Sequence, residues 1–218
     1  MSKIVLTTIL GMLTMAGIIG PVAAQHNITC RPASDRTGEV GCWIMGREAL
    51  RPALRSPLYW HIDTFTSWAE AEAAKGLSGT IIESMGKVWL FTIAEVGWLP
   101  SGGQRAAQIG PLPVSEASEH AAVYMETVLP PGFSAPVHRH PGPEAVYVVA
   151  GEVCMETPNG KTIERRGTNS HVIPADRPMA LTVTGSEHLR SIVLILHDAS
   201  QAAVIPAPKW TPRGLCRK

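Results

Sequence analysis

The chain has 218 residues, 45% of them hydrophobic and 17% charged, with a formal net charge of +1. That is enough apolar material for one globular domain with a real core, and it gives no electrostatic case for nucleic acid or an acidic membrane surface as a partner. There is no block of like charges, no glycine-rich phosphate loop and no serine nucleophile elbow.

The first 24 residues read as a secretory signal peptide rather than part of the fold. Lys3 gives a positive start, residues 4–20 are apolar, and Val22-Ala23-Ala24 is a small-residue cleavage site. The alternative is a membrane anchor, for which the apolar run is near the lower limit of length. The Ala-Ala site and the lack of a charged stop after it favour cleavage after Ala24. The mature chain is then expected to start near Gln25, in the periplasm or secreted, with no membrane attachment. All four cysteines, Cys30, Cys42, Cys154 and Cys216, lie in the exported part, where disulfides persist. Four cysteines permit three pairings, and sequence does not choose among them. A Cys42–Cys216 bridge, stapling both ends of the mature chain, is the expectation, with free buried thiols as the alternative. No C-x-x-C occurs, which argues against a redox motif or a thiolate zinc site.

In chain order, residues 25–58 are punctuated by Pro32, Gly38, Gly41, Pro52 and Pro57, with one short strand expected at Trp43-Ile44-Met45. Residues 58–63 alternate weakly as a strand. Ser67 can cap a helix over Ala69 to Lys75, with Glu70 as capping-box partner and Gly76 as its end. Residues 80–84 and 87–94 read as strands joined at Met85-Gly86, and Pro100-Ser-Gly-Gly as a loop. Further strands are expected at 121–129, 145–150, 152–157, 181–184 and 189–196, with turns at Gly151 and at Pro158-Asn159-Gly160. Short strands separated by Gly, Pro and Asn turns argue an all-β sandwich or barrel. Residues 198–218 form a Pro-rich tail expected to wrap that barrel.

The chemistry concentrates after Gly132, in a G-x5-H-x-H-x3-E-x6-G pattern formed by Gly132, His138, His140, Glu144 and Gly151. His138 and His140 are two apart, so on a strand they face the same way. Pro141-Gly142-Pro143 must bend the chain, which can return the Glu144 carboxylate to the same point. Two imidazoles and one carboxylate around an ion leave other positions open for a substrate or oxygen. The competing reading is a surface histidine pair on a loop.

This spacing resembles the first motif of the cupins. The resemblance implies an all-β fold, a cupin double-stranded β-helix (jelly-roll barrel), here with an N-terminal extension and one short helix. It implies a single domain over 25–218 with its recognisable core at 121–197. It also implies a divalent metal ion, Fe2+, Mn2+ or Zn2+, on His138, His140 and Glu144. The second cupin motif is degenerate. Pro174 fits it, but Asp176 stands for Gly, Met179 for the fourth ligand His and Val183 for Asn. Methionine is a poor ligand for hard divalent ions. Either the site has three ligands and an extra vacancy, or it no longer needs a tightly held metal. His171 could also substitute, against the plainer reading of a strand histidine. No second His-x-His-x3-Glu occurs, so one motif is expected to serve the chain.

Glu126 and His171 are the candidates for catalytic proton transfer, each equally compatible with a structural role. Tyr147 lies an odd number of residues from Glu144 and should face away from the ion. Two function classes follow. One is an exported metal-dependent enzyme, an oxygenase or isomerase acting on a small molecule. The other is a non-catalytic small-molecule binder or a structural barrel with a degenerate site. The intact His138, His140 and Glu144 favour the first, and Met179 favours the second. Cupin barrels often pair through their outer sheets, so a homodimer is a further expectation.

Overall fold

The computed structural model describes residues 29–50, 57–76, 79–114, 119–168 and 170–217. The signal peptide expected at the start lies outside the described residues. Two short elements open the described chain, β1 (Arg31–Pro32) and a 3-10 turn at Ala33–Asp35. Then come β2 (Gly41–Leu50), β3 (Leu58–Phe65), helix α1 (Trp68–Ala74), β4 (Thr80–Ser84), β5 (Lys87–Glu95) and β6 (Gln104–Leu112). The second half holds β7 (His120–Leu129), β8 (His138–Arg139), β9 (Glu144–Ala150), β10 (Glu152–Thr157) and β11 (Gly160–Arg165). It closes with β12 (Val172–Ile173), β13 (Ala180–Val183), β14 (Leu189–Asp198) and β15 (Ile205–Pro206).

The strands form layers around one central sheet of six, ordered β1-β2-β7-β14-β9-β12. Both of its faces are buried. Ala122, Tyr124, Ala145, Ile192, Leu194 and Leu196 point to one side, where they pack on Trp60, Ile62, Trp89 and Phe91 of a four-stranded sheet, β4-β5-β3-β6. Val123, Met125, Val146, Val148, Val193 and Ile195 point to the other side. There they meet Val153, Met155, Met179 and Val183, from or beside the smaller sheets β11-β10-β13 and β15-β8. The alternation along β7 and β14 is the period-two geometry of a strand with cores on both sides. The all-β jelly-roll fold expected from the motif is the fold observed.

Local signals act where the sequence places them. The Ser67 hydroxyl accepts from the Glu70 amide at 3.3 Å and caps α1. The expected return bond of a capping box is replaced: Glu70 takes the Thr66 hydroxyl at 2.6 Å. Met85 (φ 51°) and Gly86 (φ 72°) are both left-handed, the signature of a two-residue turn between β4 and β5.

Three expectations change. Strand β2 runs over ten residues, not three, because β7 pairs with it along its length. Strand β6 follows the expected loop at residues 100–103, in a stretch where no strand was expected. Its Gly110 and Pro111 read against a strand, but β6 is an edge of the four-stranded sheet, where a missing N–H is tolerated. The disulfides are Cys30–Cys42 and Cys154–Cys216, not Cys42–Cys216. Parallel pairing of β1 with β2 sets Arg31 opposite Trp43, which brings Cys30 to Cys42 with Cα atoms 4.4 Å apart. The tail meanwhile crosses β10, where the Leu215 amide donates to the buried Glu156 carboxylate at 2.8 Å and delivers Cys216 to Cys154. The segment before the motif divides: β2 extends the central sheet, and β3 to β6 form a sheet of their own.

Candidate metal centre

His138 and His140 lie on and just after β8, and Glu144 opens β9. The turn between them is wedged against β14. A Cβ on Gly142 would stand 1.8 Å from the Leu196 carbonyl oxygen, so only glycine lets the turn come this close. The second-motif residues hold β8 from the other side. His138 and Met179 exchange backbone hydrogen bonds of 3.2 and 2.8 Å, and the Asp176 amide donates to the His140 carbonyl at 2.7 Å. Asp176 has φ 58°, the left-handed conformation that glycine would otherwise supply, and its carboxylate pairs with Arg139. Met179 is fully buried with Phe133, Val146 and Met155, as packing.

The donor atoms of His138, His140 and Glu144 all lie within 4.8 Å of one another. The two imidazole rings meet edge to face with centroids 4.9 Å apart. His138 Nδ1 sits 2.7 Å from the Pro136 carbonyl, and His140 Nδ1 2.6 Å from the Ala203 carbonyl. A carbonyl only accepts, so each Nδ1 carries a proton, and in the neutral form of each ring Nε2 is left bare for a cation. His140 Nε2 and Glu144 Oε2 are 3.3 Å apart, both buried and both without a hydrogen-bond partner. Such orphaned atoms cost about 1–3 kcal/mol each unless something satisfies them. The donor set and these two atoms fit a divalent cation.

The charges are coupled. Burial lowers the His138 pKa, and the neighbouring His140 lowers it further. Burial pulls His140 the same way, but the Glu144 carboxylate and the Ala203 carbonyl outweigh it and hold His140 above its ordinary value. Burial would raise Glu144, yet the charges of His140 and His138 leave it below the usual carboxylate range.

The triad opens on a cavity of about 530 Å³ over the central sheet. Its floor is largely apolar, with Met125, Val146, Val193 and Ile195 among the lining residues. Thr127 and Ser191 add a polar patch, their hydroxyls 2.6 Å apart. A larger hollow, about 940 Å³, opens on the four-stranded sheet beside Glu70, Glu83 and Lys87, and touches none of the triad.

The two proton-transfer candidates stand apart from the triad. Glu126 lies between Met125 and Thr127, which line the cavity, so the strand turns it to the opposite face. There it accepts from the Ser84 hydroxyl at 2.6 Å and pairs with Arg36. His171 is exposed, and its amide donates to Glu164 at 2.9 Å. Tyr147 packs on the face away from the triad, as its parity requires. The Ala203 carbonyl that fixes His140 carried no signal in the sequence, because it belongs to the irregular tail.

The family model of the cupin domain matches residues 125–195. No curated protein matches the chain in sequence. Among solved structures, the DMSP lyase DddQ from Ruegeria pomeroyi DSS-3 is similar at 21% identity and a TM-score of 0.35, over 43% of this chain and 45% of that one. A cupin-like protein from Thermotoga maritima MSB8 is similar at 18% identity and a TM-score of 0.36, over 43% of this chain and 66% of the other. Oxalate decarboxylase from Lactobacillus farciminis follows at 23% identity and a TM-score of 0.33, over 42% and 27%. The chain spans less than half the length of the DMSP lyases it matches. The segment matched by the family model contains the histidine pair, the glutamate and the strands that carry them, and over residues 125–195 the chain is similar to the cupin domain.

Proposed function

We propose that this is an exported cupin protein that holds one divalent cation on His138, His140 and Glu144. The cation serves a metal-dependent oxygenase or isomerase reaction on a small molecule in the adjoining cavity. The observation that carries this reading is the convergence of the His138, His140 and Glu144 donor atoms within 4.8 Å beside the cavity, with His140 Nε2 and Glu144 Oε2 buried and without a hydrogen-bond partner. Iron(II), manganese or zinc held there would supply Lewis-acid polarisation of an oxygen-bearing ligand. The chain's own part is orientation and shelter. The carbonyls of Pro136 and Ala203 fix which nitrogen each ring presents, and the apolar floor keeps bulk water off a bound ligand. Export is supported by two disulfides among the described residues, which suit an oxidising compartment. Among the described residues no helix is long and apolar enough to cross a membrane.

A second reading, a non-catalytic binder with the same cavity, is favoured by Met179, which stands in the sequence where the resemblance sets a fourth ligand and is buried as packing with Phe133, Val146 and Met155. Elemental analysis of the exported protein beside His138→Ala tests the metal. Near-stoichiometric metal in the parent and at least tenfold less in the variant are expected. Equal metal in both would defeat the assignment. An oxygen-uptake screen with iron(II) and catechols, thiols and enols then separates oxygenase from binder.

A further inference from the structure

We infer that Arg47 anchors a small carboxylate whose apolar body lies along the cavity floor and whose far end reaches the triad. This rests on the proposed reading of the cavity as a ligand site and names the class of ligand. The argument starts from a fault in the β2–β7 ladder. One extra residue sits in β2 between Ile44 and Gly46. Before it, Cys42 and Ile44 face the cavity. Regular alternation would send Gly46 after them and turn Arg47 toward the four-stranded sheet. Instead Met45 packs on that sheet's core, and Gly46 faces it too: a Cβ there would lie 2.9 Å from Thr80 Cγ2 and 3.5 Å from Ile82 Cδ1. The bulge flips the parity, and Arg47 lines the cavity. Re-aiming a side chain beside a site is a recognised use of a bulge.

Strand register then places Arg47 relative to the triad. Arg47 pairs with Val123, Val123 with Ile195, and Ile195 with Glu144. These residues form one row across the sheet, with Arg47 and Glu144 at its ends, three strand spacings or about 14 Å apart along the backbone. The side chains between them are hydrocarbon. Among the described residues Arg47 is the sole lysine or arginine lining the cavity, its side chain is exposed, and none of their ion pairs includes it. A guanidinium matches a carboxylate in charge and in its two-pronged hydrogen-bond geometry. One fixed positive charge balances a monoanion, which favours a carboxylate over a phosphate dianion.

Isothermal titration calorimetry tests this without reference to turnover. The probes are hexanoate and 4-phenylbutanoate, each beside its neutral amide, titrated into zinc-loaded and chelator-treated full-length protein. At least one acid is expected to bind tenfold or more tighter than its amide. Arg47→Gln should bring that acid down to its amide with metal content unchanged, and Arg47→Lys should keep part of the preference. Absence of binding by either acid, or an acid preference that survives Arg47→Gln, overturns the proposal. His138→Ala separates it from the metal reading. A charge preference retained there, and lost in Arg47→Gln, upholds Arg47 even if no metal binds. A preference lost in His138→Ala and kept in Arg47→Gln means the acid sits on the cation, and Arg47 is not its anchor.

Discussion

His140 sets the pH behaviour of the site. A metal takes imidazole only in its neutral form, so protons and the cation compete for the ring. Burial favours the neutral form, but the Glu144 carboxylate and the Ala203 carbonyl more than offset it, so His140 holds its proton above the ordinary imidazole range. Metal occupancy should therefore fall on acidification, starting above the usual value of about 6.5. His138, lowered by burial and by His140, does not limit binding until the pH is lower. Zinc titrations at stepped pH check this, and an occupancy flat down to about pH 5.5 would contradict it. Gly142 makes a steric prediction. Its Cβ position lies 1.8 Å from the Leu196 carbonyl, so Gly142→Ala must push the turn between the ligands off β14. We expect a loss of about 1–3 kcal/mol or more in urea denaturation, with weaker metal binding.

The tail is the element that ties the site to the rest of the chain. It supplies the carbonyl on His140 at Ala203, pairs β15 with β8, and ends in the bridge to Cys154. Cys216→Ser opens a loop closed over a sequence separation of 62 residues. That should cost about 2–4 kcal/mol by the entropy of loop closure. Because the tail also orients a ligand ring, metal affinity should drop as well, where a purely remote staple would leave it unchanged. Non-reducing denaturation and metal titration of the same variant report the two effects. Element by element, the sequence was clearest where one residue type decides. The Ser67 cap, the Met85-Gly86 turn and the proline-bounded bend before Glu144 all depend on local chemistry. It was least clear at β6, where an edge position tolerates Gly110-Pro111, and at β2, whose bulge follows from what β7 and β4 pack against it.

At the scale of the molecule, one sheet separates two cores. Trp60 is fully buried on the face away from the triad, against Phe91 and Tyr124. Trp60→Ala should cost about 3–5 kcal/mol of stability. It should leave metal stoichiometry intact in the folded fraction, because the central sheet stands between the two. Thermal denaturation with elemental analysis checks both halves, and metal loss at full folding would show that the faces are coupled. The sequence by itself determined the strand-rich class and the convergent His138, His140 and Glu144, because alternation, turn residues and ligand spacing are local. Tertiary structure alone decided the rest: the cysteine pairs, the face taken by Glu126, the carbonyl on His140 and the face taken by Arg47. Each depends on which distant strand lies alongside, and pairing between strands far apart in sequence leaves no mark on the residues of either one.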